Sequence, residues 1–249
     1  MRNCLKTLLA AGFACVLLAI NSCKKEPNNY AVNYEYNYYP LDSGHYVIYN
    51  VDSIQYNFNG VQTSDTIRYQ EMQVIGDTFY DNQNRLNHYV DNYRRADSTQ
   101  AWFFDRRWYA LLTTTNLQLV EDDLRYIKLI FPPVANTPWN GNQYIPPGNV
   151  IIAGDQYNVF NNWSYFYENI DTTYNINNLT LNNAIIVSEV NSVNLIQETL
   201  RTEVYAPNVG LIYQEWEALT AGNGAINTDW QNGNMTGFRI RWYIWQHYP

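Results

Sequence analysis

Gly237-Phe238-Arg239-Ile240-Arg241-Trp242-Tyr243-Ile244-Trp245 alternates with a period of two. Phe238, Ile240, Trp242 and Ile244 fall on one face of an extended chain; Arg239, Arg241, Tyr243 and Trp245 fall on the other. A slip of one residue would exchange an apolar face for a charged one, so the register of this strand is firmly specified.

The same alternation runs back through the chain. Tyr46 to Val51 reads as a strand that Ile54 to Phe58 either continues or pairs with, and Asn59-Gly60 reads as a hairpin turn. Thr66 to Ile75 reads as a strand broken by Gly76-Asp77, and Arg85 to Arg94 as its return after the polar turn at Asp81 to Asn84. Gln100 to Phe104, Arg107 to Thr114, Leu117 to Val120 and Leu124 to Phe131 follow. Pro132-Pro133 ends that run, since proline cannot donate to a ladder. Asn136 to Asn149 reads as a long loop. Strands resume at Asn162 to Asn169, Ala184 to Val190, Glu198 to Tyr205 and Gly210 to Trp216. No stretch carries a 3.6-residue apolar stripe over three turns. The fold expected is all-β: a single large antiparallel, strongly curved sheet, a half-barrel or barrel.

Composition agrees. Aromatic residues make up 16% and charged residues only 15%, and polarity comes from amides and hydroxyls. Aromatic and β-branched side chains fit a pleated, half-buried surface. The net charge is −8, which opposes phosphate backbones, so nucleic acid is not expected as a partner.

The amino terminus reads as an export signal. Arg2 and Lys6 precede an apolar run from Leu8 to Ile20, shorter than the ~20 residues of a membrane-spanning helix. Ile20-Asn21-Ser22-Cys23 has the form of a lipobox, with Cys23 as the acylated residue. The expected organisation is therefore a signal peptide (1–22), a lipidated tether (23–37) and one antiparallel β domain (38–249). Each buried CH₂ contributes about 0.8 kcal/mol, so the two or three acyl chains of a mature lipoprotein hold Cys23 on a membrane. Cys4 and Cys15 leave with the leader. The processed chain then has no thiol to pair, and its stability must come from a packed core. The implied partner is a membrane, through Cys23.

Sites of chemistry are sparse. His45, His88 and His247 are far apart, and a zinc site needs three or four clustered ligands, so neither metal nor cofactor is expected. No nucleophile elbow or phosphate loop is present. Glu121-Asp122-Asp123 offers oxygen ligands or a carboxylate pair, but also suits a turn before a strand that pairs with Arg125 or another neighbour. The candidate ligand-binding residues are Trp139, Asn140 and Asn142, in a loop that serves either as an exposed platform or as a plug over one end of the core. Trp102, Trp108 and Trp163 read as core.

Several blocks resemble an uncharacterised family of Bacteroidetes lipoproteins: Tyr39-Pro40-Leu41-Asp42-Ser43-Gly44, Glu121 to Pro132, Trp139-Asn140-Gly141-Asn142 and Tyr205 to Tyr213. They occur in order across the whole folded region. Val47 stands where that family has Trp. The resemblance implies a β fold and the outer membrane, where Lys24 after the acylated cysteine also points; it implies no catalytic residues. The functional expectation is a lipid-anchored cell-envelope protein that binds a ligand or partner without catalysis. The alternatives are a glycan-binding module using exposed Tyr and Trp, a carrier of an apolar ligand in a half-barrel, and, last, a carboxylate-based glycoside hydrolase.

Overall fold

The computed structural model describes residues 35–145, 150–152, 155–157, 160 and 163–248. The expected signal peptide, Cys23 and residues 24–34 of the expected tether lie outside the described residues.

Among the described residues thirteen strands follow in order: β1 (Tyr46–Phe58), β2 (Gln62–Tyr80), β3 (Leu86–Arg95), β4 (Phe103–Leu112), β5 (Asn116–Glu121), β6 (Leu124–Ile130), β7 (Val150–Ile152), β8 (Asp155–Tyr157), β9 (Phe166–Ile176), β10 (Leu179–Val193), β11 (Gln197–Ala206), β12 (Gly210–Ala221) and β13 (Met235–Tyr248). Eleven of them form one antiparallel sheet, ordered β6-β5-β4-β3-β2-β1-β13-β12-β11-β10-β9. It consists of two meanders joined where β1 pairs with β13; β7 and β8 pair separately.

The sheet is strongly curled into a half-barrel, as expected. Trp108 on β4 and Trp242 on β13 are four strands apart, about 19 Å in a flat sheet at ~4.8 Å per strand. Their rings stack with centroids 6.4 Å apart. Phe238, Trp242 and Ile244 are buried on the concave side. The opposite face of β13 is less uniform than its pattern predicts. Arg239 is buried with Glu217 and Tyr56, and the backbone carbonyl of Trp230 lies over it.

Several strands are longer than the sequence pattern suggests. β2 passes Gly76-Asp77 with a register shift between Ile75 and Thr78, while Ile54 to Phe58 continues β1 through Asp52 and Ser53, one of the two readings of that stretch. A β-bulge absorbs the extra residue without ending the ladder. The β9–β10 hairpin was not legible. Its turn carries Asn177 at φ 52°, in a polar, Asn-rich stretch whose alternation is weak. Asp122 and Asp123 both have positive φ (48° and 67°), as a two-residue β5–β6 hairpin turn requires. Trp108 and Trp163 are buried, as predicted. Trp102 is not in the core: it precedes β4, half-buried, under the guanidinium of Arg95.

Tyr36–Tyr38 forms one turn of 3-10 helix. The Tyr36 hydroxyl donates to the Thr114 carbonyl, and the Tyr38 hydroxyl to the Asn183 carbonyl. Residues 36 and 37, within the expected tether, thus already belong to the folded body.

Candidate functional site

The edges of the curled sheet, β6 and β9, are bridged by the segment carrying Trp139, Asn140 and Asn142. The Ile127 N–H donates to the Gly141 carbonyl, and the Trp139 indole N–H donates to the Ile127 carbonyl at 2.9 Å. On the other side Trp139 and Tyr165 exchange two backbone hydrogen bonds, of 2.8 and 3.0 Å. The Tyr167 hydroxyl both donates to the Ile130 carbonyl and accepts from its N–H. The segment therefore satisfies strand edges that would otherwise invite pairing with another chain. Gly141 is required here: a Cβ would lie 2.4 Å from the Tyr165 ring.

Each residue of the predicted trio has a defined place. Trp139 is half-buried, its ring against Tyr165 and Tyr167 at 5.8 and 4.9 Å. Asn142 is buried and accepts from the Tyr165 hydroxyl at 2.8 Å. Asn140 is exposed, and its side-chain oxygen accepts from the Asn142 N–H.

Curling also assembles a cluster of charges inside the barrel. Lys128 on β6 lies eight strands from β11 in the sheet order, yet its Nζ is 2.6 Å from Glu203 Oε1. Glu189 on β10 is 3.1 Å from the same ammonium, and Glu121 on β5 is 3.4 Å away. Lys128 thus donates hydrogen bonds to Glu189 and Glu203, with Glu121 within ion-pair distance. Arg201 on β11 lies 3.1 Å from Glu189 and 3.5 Å from Glu121, with its guanidinium over the Trp216 ring. The Tyr205 hydroxyl donates to Glu203 at 2.6 Å. Lys128, Arg201, Glu189 and Glu203 are each at most 1% exposed.

Two cations face three carboxylates, and the imbalance sets their proton affinities. Burial pushes Glu189 up to about 7, against the pull of Arg201. Burial also acts on Glu203, but Lys128 and Arg201 outweigh it and hold the carboxyl at about 2. Lys128 is raised: burial and Arg201 lower it, but the three glutamates prevail. Glu189 is the group placed to carry the proton that balances the cluster.

Elsewhere on the concave side, Glu71 is wholly buried, 2.9 Å from Arg106. Burial pushes it up to about 7, partly offset by Arg106 and Arg94. The concave face is filled: Tyr49, Tyr165, Tyr167 and Tyr205 are each at most 1% exposed. Glu71, Lys128, Glu189, Arg201 and Glu203 are sealed from solvent. Among the described residues no three His, Cys, Asp or Glu side chains are grouped to hold a metal ion.

Only Glu121 of the interior cluster stood out in the sequence, as part of an acidic turn. Its partners Lys128 and Arg201 lie on other strands, and Asp122 instead accepts from the Trp108 indole N–H. Local signals for the rest do exist: Lys128 interrupts an apolar strand, and Arg201, Glu203 and Tyr205 share one face at a spacing of two.

The chain matches no protein-family profile and no curated protein. Among solved structures it is similar to the crystal structure of a Bacteroides fragilis protein of YmcC-like fold, thought to be exported. The TM-score is 0.38 at 12% identity, over 84% of this chain and 98% of that one.

Proposed function

We propose that the protein is a lipid-anchored component of the cell envelope, held at the outer membrane through Cys23, that binds a ligand or partner on its outer surface and has no catalytic role. The observation that carries the binding role is the sealing of the interior. Lys128, Glu189, Arg201 and Glu203, the candidates for acid–base chemistry, are spent on one another at 0–1% exposure. Recognition is left to the convex face and the loops, where aromatic rings such as Trp245 (43% exposed) and Tyr248 (59%) meet solvent. A filled interior also disfavours the carrier reading, which needs an open apolar cavity.

The anchor is supported by the lipobox sequence ending at Cys23 and by the resemblance to Bacteroidetes lipoproteins. Metabolic labelling with an alkyne fatty acid tests it. The wild type is expected to carry label and to fractionate with membranes, and Cys23→Ala to lose both. Label retained in the variant would refute the anchor.

A further inference from the structure

The convex face carries a cleft of about 260 Å³, lined by Asn50, Asp52, Arg68, Gln70, Asp97 and Ser98 among others. Its floor is built on β1 and β2, strands inside the sheet with both edges paired, and its wall is the β3–β4 loop. We propose that this cleft binds a neutral saccharide. The inference names a ligand class for the binding role proposed above and rests on that reading.

Three features point to a sugar. The first is charge balance. Asp52 pairs with Arg68 at 3.2 Å, and Asp97 stands in the same wall that Arg95 ends. Two carboxylates and one guanidinium line the cleft, with Arg95 behind it on Gln70 as a second cation, so it favours neither an anion nor a cation and offers the mixed donors and acceptors that hydroxyl groups need. The second is preorganisation. Arg95 Nε donates to Gln70 Oε1, and Gln70 Nε2 donates to Asn50 Oδ1, both at 2.8 Å. This relay fixes two amides on rigid strands, which holds a binding geometry better than a loop does. The third is aromatic surface. Beside the cleft, outside its lining, Trp102 and Trp245 flank Arg95, with centroids 4.1 and 5.8 Å from its guanidinium carbon, and Trp245 is 43% exposed. A pyranose presents C–H groups on one face and hydroxyls around its rim. The C–H face suits the electron-rich face of a ring, and the rim suits amides. An added peptide strand is ruled out at this place, because β1 and β2 have no free edge.

The test is isothermal titration calorimetry of the full acylated protein in detergent. The probes are maltohexaose, cellohexaose, mannohexaose and chitohexaose, with hexagalacturonate as the charged control. At least one neutral oligomer is expected to bind saturably, and hexagalacturonate at least tenfold more weakly. Trp245→Ala and Asn50→Ala are each expected to weaken binding tenfold or more with unchanged thermal unfolding, and Trp245→Phe to recover part of it. Arg107→Gln, on the same face but outside the cleft, should bind as wild type. The proposal is overturned if no neutral oligomer binds, if the charged one binds as well, or if both alanine variants bind normally. None of these results bears on acylation, so the anchor stands or falls separately.

Discussion

The cluster around Lys128 and the pair Arg107–Asp91 are both salt bridges, on opposite faces of the same sheet. Arg107 meets Asp91 in a two-pronged contact of 2.5 and 2.9 Å, with its own side chain 48% exposed. Lys128 meets its carboxylates at similar distances with 1% exposure. Water and salt compete with the outer pair and hardly reach the inner cluster. The inner charges have lost their hydration, so each is held only as long as its partners stay. Similar contacts therefore have different consequences: outside they adjust the surface, and inside they specify how β6 must meet β10 and β11.

The largest effect expected from this difference is at Lys128. Lys128→Met removes the cation shared by Glu121, Glu189 and Glu203 and leaves Arg201 alone against them. Breaking a buried pair from one side costs about 3–5 kcal/mol. Urea unfolding of the variant should show a loss of that size, with part recovered in Lys128→Met/Glu203→Leu. A loss under 1 kcal/mol would mean that the interior charges are solvated, and the contrast with the outer face would collapse.

Trp139→Ala addresses what keeps the interior dry. The variant loses the ring contacts with Tyr165 and Tyr167 and the indole hydrogen bond to Ile127. Full burial of a Trp makes such truncations worth about 3–5 kcal/mol, and Trp139 is half-buried, so about 2–3 is expected. Amide hydrogen exchange should rise at Ile127 and Tyr165 before it rises in β1 and β13. Uniform exchange across all four would show that the segment does not close the barrel locally.

How far the sequence disclosed this follows the same division. Alternation in Gly237 to Trp245 requires only neighbouring residues, and it gave the strand, its faces and the all-β class. Turn chemistry at Asn59-Gly60 and Asp122-Asp123 is local as well. The inner cluster is not. Lys128 meets partners 61 and 75 residues away, and only the closure of eleven strands brings them together. Trp139 was legible as a special residue, but its two readings differ only in which way the ring turns. That depends on Tyr165 and Tyr167, which the loop itself does not contain.

A smaller effect, and one with a sign, is expected from pH. Glu189 and Glu71 are both pushed up to about 7 by burial, from 4.5. Between pH ~4.5 and 7 the folded state therefore holds more protons than the unfolded chain, and stability falls as pH rises through that window. Each group is worth on the order of 3 kcal/mol across it. Glu203, held down at about 2, acts oppositely: its contribution is lost as pH falls from about 4.5. Glu189→Gln should flatten the slope between pH 5 and 7 and leave the acid limb in place. An unchanged slope in that variant would place the balancing proton elsewhere.

The smallest effect is expected on the outside. Arg107→Gln removes the charge from a well-formed pair and a guanidinium 4.3 Å from the centre of the Tyr89 ring. Exposed pairs are worth 0.2–1 kcal/mol in most measurements, so a loss below about 1 is expected. Salt supplies the sharper criterion. Raising NaCl from 0.05 to 0.5 M shortens the screening length from about 13 to 4 Å. The difference between wild type and Arg107→Gln should then shrink toward zero, while that between wild type and Lys128→Met persists. If both differences shrank together, solvent would be reaching both faces, and the barrel interior would be no more protected than its surface.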